Sequence, residues 1–247
     1  MFGLSPLDFV ALFWFLAAWL GFGVVVDMTH LAGPSLSRLM DRERRSWMEV
    51  VRRRENRIVD TSIMSSLQNG TAFFASTSMI ALGGSFTLLN QSDRMVEIFS
   101  ELPFHVATTR GILETKIVCL VGVYAYAFFK FGWAYRLFNY SAILLGTIPL
   151  AKDADTAASW AAARRAAEMQ IDAGHHFHWG LRSLFFSIGF FGWFVNAWVF
   201  MVTTTVVVAV LSRRQYLSRA RAALIASDEP WSLHGAGNSD DDRPSTR

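Results

Sequence analysis

Long apolar blocks, rather than periodic apolar stripes, dominate the pattern of hydrophobic and polar positions along this chain. Residues 7–26 read LDFVALFWFLAAWLGFGVVV with one charged residue, and residues 71–89 and 183–211 hold no charged residue at all. A helix of about 20 apolar residues, rising 1.5 Å per residue, crosses the hydrocarbon core of a bilayer. Each block therefore predicts a membrane-spanning helix, and together they predict an all-α, multi-pass membrane protein.

A further apolar stretch, residues 110–134, is interrupted by charges. It carries Glu114 and Lys116 near its start and Lys130 near its end. The apolar stem of a lysine can lie in the membrane while its ammonium group reaches the surface, so such charges are tolerated near helix ends. We therefore predict a third span here, which makes the block 183–211 the fourth.

Two non-spanning segments follow the third span. The apolar part of residues 137–150 is too short to cross, which predicts an interfacial, re-entrant or packed segment that Pro149 ends. Residues 151–182 are polar and alanine-rich, which predicts a soluble helix that begins near Asp153, Asp155 or Thr156. It either ends around Gly174 or runs straight into the fourth span.

The predicted fold is thus four transmembrane helices with cytoplasmic helical extensions. The segments are a first transmembrane helix (1–33), a cytoplasmic Arg-rich amphipathic helix leading into the second span (34–69), the second span with an outer loop (70–109), the third span with the interfacial segment (110–150), a cytoplasmic polar helix (151–182), the fourth span (183–211), and a basic segment with a disordered tail (212–247).

The distribution of arginine and lysine predicts the orientation. Loop 34–61 holds eight arginines and region 135–182 holds five lysines or arginines. Short loops rich in these residues are cytoplasmic, so four spans place both regions inside and both termini outside. One group of basic residues disagrees, because four spans would put it outside: Arg213, Arg214, Arg219 and Arg221.

The Arg-rich stretch, DRERRSWMEVVRRRENRIVD over residues 41–60, predicts an amphipathic helix that continues toward the second span. Trp47, Val50, Val51 and Ile58 share one side at helical spacing. The basic residues of this helix are interpreted first as a signal of the cytoplasmic side. The alternative is that they bind an anionic lipid or ligand, and the candidates are Arg52, Arg53, Arg54 and Arg57. Nucleic acid is not a predicted partner, because three interleaved glutamates offset the positive field that phosphate binding requires.

A stripe of small and polar residues, Asn69, Ser76, Gly83 and Thr87, lines one side of the second span. Small residues let helix backbones approach closely, so the stripe predicts a helix-packing seam, and a pore or substrate pathway is the alternative. Asn196 lies near the middle of the fourth span. There we expect its amide to find a partner on another helix, and a role in a transport pathway is the alternative.

A cluster of acidic and histidine residues is the candidate for metal binding. Its members are Glu168, Asp172, His175, His176 and His178, and carboxylate and imidazole groups on one helix face can bind a transition metal. Gly174 is expected to interrupt that helix, however, and no HExxH or CxxC motif is present. We predict no cofactor, with a metal ion as the alternative, and the single Cys119 excludes an intrachain disulfide.

Several motifs resemble the family called domain of unknown function 599, multi-pass membrane proteins of bacteria and plants. They are RRSWMEVVRRRENRIVDTSIMSSL, TAFFASTSMIALGG, FFKFGWAYRLFNYSAILLGTIPL and GLRSLFFSIGFFGWF, which together cover about residues 35–210. The resemblance implies four membrane helices and a bacterial inner-membrane location, and it implies no biochemical activity. The HFHWG stretch departs from the family's pattern of an acidic residue, Phe, Asn, a basic residue and Gly.

Two functions remain after these observations. The first is an oligomeric channel or transporter for a small ion or solute, in which several copies share an axis because four helices enclose little space. The alternative is a non-transporting membrane scaffold or accessory subunit that binds a protein partner through its cytoplasmic helices. No nucleophile or cofactor motif supports an enzyme. The predicted partners are the lipid bilayer and further copies of the chain.

Overall fold

A computed structural model describes residues 4–28, 35–101 and 109–226, and the tail predicted to be disordered lies largely outside them. Nine α-helices make up nearly all of this described part, which contains no strand. They are α1 (Pro6–Met28), α2 (Leu36–Arg52), α3 (Ile58–Asn90), α4 (Ser92–Glu101), α5 (Arg110–Gly146), α6 (Ala157–Phe190), α7 (Gly192–Val195), α8 (Ala197–Tyr216) and α9 (Arg219–Ala226), with a 3-10 turn at Ala151–Asp153 between α5 and α6.

Four helical segments are long and apolar enough to cross a membrane. They are Pro6–Val26, Ile58–Asn90, Arg110–Gly146 and Ala197–Ile225. This confirms the all-α architecture and the number of apolar spans, but the boundaries of several elements differ from the prediction.

The Arg-rich helix does not continue into the second span. Helix α2 ends at Arg52, and residues 53–57 form a turn before α3 begins at Ile58. The second long helix thus starts well before residue 70. The apolar side of α2 is buried, because Met48 and Val51 lie in one cluster with Met64 of α3 and several alanines of α6.

Helix α5 is also longer than the predicted third span. It continues unbroken to Gly146 and so absorbs most of the segment predicted to be interfacial, re-entrant or packed. Leu145 and Ile148 are buried in the cluster that contains Met48 of α2 and Ala163 of α6. This segment is therefore packed within the protein.

The fourth candidate span begins later than predicted, at Ala197 rather than at residue 183. Helix α6 runs through the expected boundary at residue 182 and ends at Phe190, and after the short α7 the chain continues as α8 from Ala197. A helical hairpin thus replaces one long span. Because apolar residues continue on both sides of the turn, hydropathy does not reveal it. Gly192 allows α8 to approach closely, since a Cβ there would lie 3.0 Å from the Val199 carbonyl oxygen.

Helix α6 lies antiparallel to α5 along most of its length. Ser141 of α5 donates a hydrogen bond to the Ala166 carbonyl, at 3.1 Å. Farther along, Phe131 lies 2.9 Å from where a Cβ on Gly180 would be. Glycine and alanine on α6 allow this close approach. The Ala-rich first half of α6 thus packs against both α5 and α2, and its cytoplasmic location stays a prediction.

The arginine-rich segments meet at one end of the bundle. Gln215, at the end of α8, donates a hydrogen bond of 2.8 Å to Ser37 at the start of α2. Arg213, Arg214, Arg219 and Arg221 therefore lie at the same end as α2. The four-span prediction put these four arginines at the opposite end. They lie at the same end as α2 because α6 runs along the bundle to the other end and α8 then runs back.

Candidate functional site

The basic end of the bundle contains most of the residues singled out in the sequence. Helix α2 begins after Ser35, whose side chain accepts a hydrogen bond from the Arg38 amide. The N-cap of α6 is Thr156, one of the three starts that the sequence predicted, and its hydroxyl accepts from the Ser159 amide. Packing of α2 across α6 then determines where the arginines, histidines and carboxylates point.

Arg52 is fully buried between α2 and the loop before α6. Its Nη1 donates to the Ala154 carbonyl at 2.7 Å and to Asp155 at 3.1 Å. The guanidinium carbon also lies 3.5 Å from the centre of the Trp160 ring. Arg52 therefore fastens α2 to the start of α6.

Two further arginines have comparable structural contacts. Arg54 donates to Asp60 at 2.8 Å, where the buried carboxylate also accepts from Trp47 at 2.8 Å. Arg57 donates to the Ile148 and Pro149 carbonyls at 2.7 and 2.6 Å. Arg53, by contrast, is exposed. Three of the four arginines thus bind oxygen atoms of the protein itself. Binding of an anionic lipid or ligand by the four arginines stays a prediction.

The five residues of the predicted metal cluster do not converge. Glu168 accepts from Arg45 at 3.1 Å, and His175 lies 2.9 Å from Asp41, so both face α2. His176 instead faces α5, where its Nδ1 is 3.5 Å from Lys130 Nζ, and Asp172 is 3.9 Å from its Nε2. Within the described ranges, no three acidic, histidine or cysteine side chains are grouped so that they could hold a metal ion.

His178 lies beside the Arg44 and Arg182 side chains. Burial, aided by these two positive charges, lowers the pKa of His178 to about 4, so the imidazole is neutral at physiological pH. Burial and the nearby Lys130 ammonium also lower the pKa of His176. The uncharged His178 thus lies beside two arginines without adding a third positive charge.

Gly174 does not interrupt α6, contrary to the sequence prediction. A Cβ at this position would lie 2.7 Å from the Arg44 guanidinium carbon. The glycine thus makes room for Arg44, which is held by a 2.9 Å ion pair with Asp41. Burial lowers the pKa of Arg44 even though the neighbouring carboxylate opposes the shift.

The stripe on α3 faces outward. Asn69, Ser76, Gly83 and Thr87 are all exposed, and the position of a Cβ on Gly83 has no atom within 4 Å. The buried side of α3 is instead a different line of residues, formed by Met64, Thr71, Ser78 and Ser85. Among the described residues, the stripe therefore makes no packing seam and faces outward.

Asn196 lies at a helix end rather than in the middle of a span. It is the N-cap of α8, and its side-chain oxygen accepts a 2.8 Å hydrogen bond from the Val199 amide. The prediction of a partner on another helix is wrong, because the chain turns at this residue and the amide group caps the next helix.

At the opposite end of the bundle, sequence reasoning missed a buried lysine. Lys116 is 5% exposed, and its Nζ donates to the Trp193 carbonyl at 2.7 Å. The indole of Trp193 in turn donates to Asp8 at 2.8 Å. The ammonium group satisfies a carbonyl left without a helical partner at the turn between α6 and α8. Gly189, Gly192 and Asn196 were the available signals of that turn.

A cavity of about 450 Å³ lies where α1, α2, α6, α8 and α9 meet at the basic end. Its polar groups come from Ser37, His178, Arg182, Arg214 and Gln215, and no carboxylate is among the described residues that line it. Most of its wall is apolar and comes from Phe22, Leu36, Met40, Leu181, Phe185 and Leu211. We call this space the basic-end cavity.

The long apolar helices place the chain in the class of polytopic α-helical proteins, and the four candidate spans indicate a membrane protein. Residues 10–220 match the family described as "Protein of unknown function, DUF599", and the chain belongs to that family. No curated protein and no solved structure matches the sequence.

Proposed function

We propose that the protein is a subunit of a homo-oligomeric channel or transporter for a small ion or solute in a bacterial inner membrane. The outward orientation of the small-residue stripe on α3 carries this proposal. Because α3 is a candidate membrane span, its exposed side would contact either lipid or another subunit.

The interior of a single chain offers little room for a pathway. Phe15 packs against Phe190 and Phe200 at ring-centre distances of 5.4 and 5.2 Å, and the buried Trp193 stacks on Phe200 at 5.1 Å. These rings fill the space between α1, α6 and α8. A pathway shared between copies is therefore more consistent with the packing than one inside each copy.

The stripe has the chemistry of a contact between membrane helices. Both Gly83 and Gly84 have open space where a Cβ would be, which allows a neighbouring backbone to approach closely. Thr87 donates to the Gly83 carbonyl at 3.2 Å, while the exposed Ser76 hydroxyl can face a shared axis. Small groups and hydroxyls at one contact suit both assembly and passage of a polar solute.

The arginine-rich end is proposed to lie in the cytoplasm. Arginines of α2, the start of α6 and the end of α8 all lie there, and such a concentration of positive charge marks the cytoplasmic side. The second half of α6 would then be a fifth crossing, shielded by its neighbours. On this proposal the N-terminus is outside and the end of α8 is inside.

Disulfide formation between copies tests the assembly. In a chain with Cys119→Ala, Ser76→Cys should form dimers on oxidation in membranes because the stripe meets another copy. Thr77→Cys is the matched control, since Thr77 is exposed at the same depth but is turned about 100° around the helix. Equal crosslinking at both positions, or none at either, would contradict assembly through the stripe.

Flux measurements in liposomes test the transport step. Gly83→Leu should reduce flux of the permeant ion or solute by filling the shared axis, and Met79→Ala should leave assembly intact and raise that flux. If purified wild-type protein assembles through the stripe but conducts no common cation or anion, the transport function is contradicted. The scaffold function would then be the one that agrees with the data.

The scaffold alternative has an observation of its own. A groove of about 400 Å³ lies between α2 and α6 at the basic end, lined by Arg45, Glu49, Trp160, Arg164 and Glu168. Trp160 is 46% exposed there, and exposed tryptophan and arginine are typical of protein contact sites. Loss of a copurifying protein from Trp160→Ala, but not from Lys152→Ala, would support this function.

A further inference from the structure

We propose that three exposed side chains of α5, Trp133, Arg136 and Tyr140, bind the phosphate group of a membrane phospholipid where the hydrocarbon core meets the headgroups. We call this surface the α5 headgroup site. The inference requires that α5 spans a membrane. It depends neither on transport nor on assembly through the stripe on α3.

The three side chains share one side of α5. They are spaced by three and four residues, which places them next to one another along a helix surface. Trp133 is 46% exposed, Tyr140 is 37% exposed, and Arg136 is exposed as well. Ala134 and Phe138, on the other side of the helix, are buried. The α5 headgroup site therefore faces away from the bundle.

The Arg136 side chain is oriented by the two aromatic rings. Its Nε donates a 2.6 Å hydrogen bond to the Tyr140 hydroxyl, and its guanidinium carbon lies 5.3 Å from the Tyr140 ring centre and 5.6 Å from the Trp133 ring centre. Its terminal nitrogens, Nη1 and Nη2, make no hydrogen bond to a described residue. A guanidinium group held in this way can bind two phosphate oxygens at once.

The other polar groups of the site are also hydrogen-bond donors. Within the described part of the chain, the Trp133 indole N–H has no acceptor, and the Tyr140 hydroxyl accepts from Arg136 and so keeps its own proton to donate. Asp172 is the acidic residue linked to this surface, but it lies 3.9 Å from His176, whose ring centre is 6.3 Å from that of Trp133. It does not pair with Arg136. Several donors and one positive charge suit a phosphodiester, which is negative and rich in acceptor oxygens.

The position of the site along α5 favours a lipid as the source of this phosphate. Near the other end of the helix, Lys116 and Asp8 both bind Trp193, so they mark one level of the bundle. Arg136 lies 20 residues beyond Lys116 on the same unbroken helix, which is about 30 Å at 1.5 Å per residue. That length equals the thickness of the hydrocarbon core of a bilayer.

Helix α1 gives the same length, because its last residue, Met28, lies 20 residues after Asp8. Between Lys116 and Arg136 the only charged residue is Lys130, which is half-buried. Arg136 is thus the first exposed charged side chain after the apolar stretch of α5. Tryptophan and tyrosine are enriched at this level of membrane proteins, so the α5 headgroup site lies among the phosphates of one leaflet.

Native mass spectrometry of the full-length protein in a non-ionic detergent tests the binding. Phosphatidylglycerol and a diacylglycerol with identical acyl chains serve as probes, and the phospholipid should bind more tightly. Arg136→Gln should weaken phosphatidylglycerol binding about fivefold. Tyr140→Phe should weaken it about twofold, because the ring stays but the hydroxyl that orients the guanidinium group is lost. All three side chains are exposed, so we expect both variants to fold.

Arg213→Gln is the matched control. Arg213 is exposed and lies 17 residues after Asn196 on α8, which is about 25 Å from the turn before that helix and so at a similar level. Among the described residues, however, no aromatic ring lies against its guanidinium group. This variant should bind phosphatidylglycerol as the wild type does.

Spin labels test the depth of the site without measuring lipid affinity. In a chain with Cys119→Ala, Gly132→Cys lies about 6 Å before Arg136 and Ile143→Cys about 10 Å after it, on the same side of α5. Both positions are exposed. In liposomes, oxygen should reach the label at position 132 and a water-soluble nickel chelate the label at position 143. If oxygen alone reaches both labels, the headgroup level lies elsewhere and the proposal is wrong.

Three binding results would also overturn the proposal. Equal losses in Arg136→Gln and Arg213→Gln would show general attraction to a basic surface. Equal affinity for the phospholipid and the diacylglycerol would exclude a contact with the phosphate. Inorganic phosphate that competes as strongly as phosphatidylglycerol would show that the site recognises a free anion and not a lipid.

Discussion

Helices α3 and α6 are almost equal in length, with 33 and 34 residues, yet they show opposite relations between composition and environment. Helix α3 is apolar and mostly exposed, with a line of small residues facing outward. Helix α6 carries alanines, histidines and charged residues, yet one side of it is buried against α5 and α2 along most of its length. Hydropathy therefore identifies the apolar helices, and it does not report which helix lies inside a bundle.

The largest expected effect concerns the side of the membrane from which residues after α8 can be labelled. In a chain with Cys119→Ala, single cysteines replacing Arg45 and Leu217 should react with reagents from the same side, and one replacing Arg94 from the other. The reason is that α6 and α8 form a hairpin that returns the chain to the basic end. All-or-none labelling with a membrane-impermeant maleimide, before and after membrane disruption, measures this. Labelling of residues 45 and 217 from different sides would contradict this hairpin and agree with a chain that crosses the membrane four times.

Acidification should destabilise the region of α6 beside α2. The folded state depresses the pKa of His178 to about 4 from 6.5, so the unfolded chain binds the proton first as pH falls. Stability is then complete above pH 6.5 and is lost between about pH 6.5 and 4, by up to about 3 kcal/mol. Denaturation in detergent at several pH values measures the slope.

His178→Gln is the matched variant for the acid effect, since it keeps a polar, neutral side chain. It should flatten the stability profile between these pH values, apart from the smaller contribution of His176, whose pKa is also lowered. An unchanged slope in His178→Gln would contradict the assignment to His178.

Glycines on the two helices should respond differently to enlargement. Gly180→Leu on α6 should lower the free energy of unfolding by about 1–3 kcal/mol, because Phe131 is buried and cannot move away. Gly83→Leu on α3 meets open space and should leave the stability of the monomer within about 0.5 kcal/mol of the wild type or raise it. Denaturation of monomeric protein in detergent compares the two variants. Equal losses would show that α3 is as enclosed as α6.

The turn at the end of α6 depends on the Lys116 contact. Lys116→Met keeps an unbranched side chain but removes the donor to the Trp193 carbonyl, which should cost about 1–3 kcal/mol of stability. Lys152→Met, at an exposed position, is the control and should change stability little. If both variants melt alike, Lys116 has no specific part in holding the turn.

Sequence reasoning located the helices better than it located their partners. The start of α6 at Thr156 was predictable because the capping hydroxyl acts within one turn of the chain. The turn at Gly192 was missed because both of its arms are apolar, so the local pattern resembles one long span. Arg52 was assigned to a surface role because its buried carbonyl partner, Ala154, is far away along the chain.

The amino-acid sequence by itself determined the helical class, the four apolar spans and the positive charge that marks one end. These properties follow from local composition, since a helix satisfies its own backbone and apolar length alone decides whether it can cross a bilayer. Only the tertiary structure decided that α6 lies against α5, that the stripe on α3 faces outward, and that Arg182 and Arg214 share a cavity. Those arrangements depend on close packing between distant segments, which local composition does not specify.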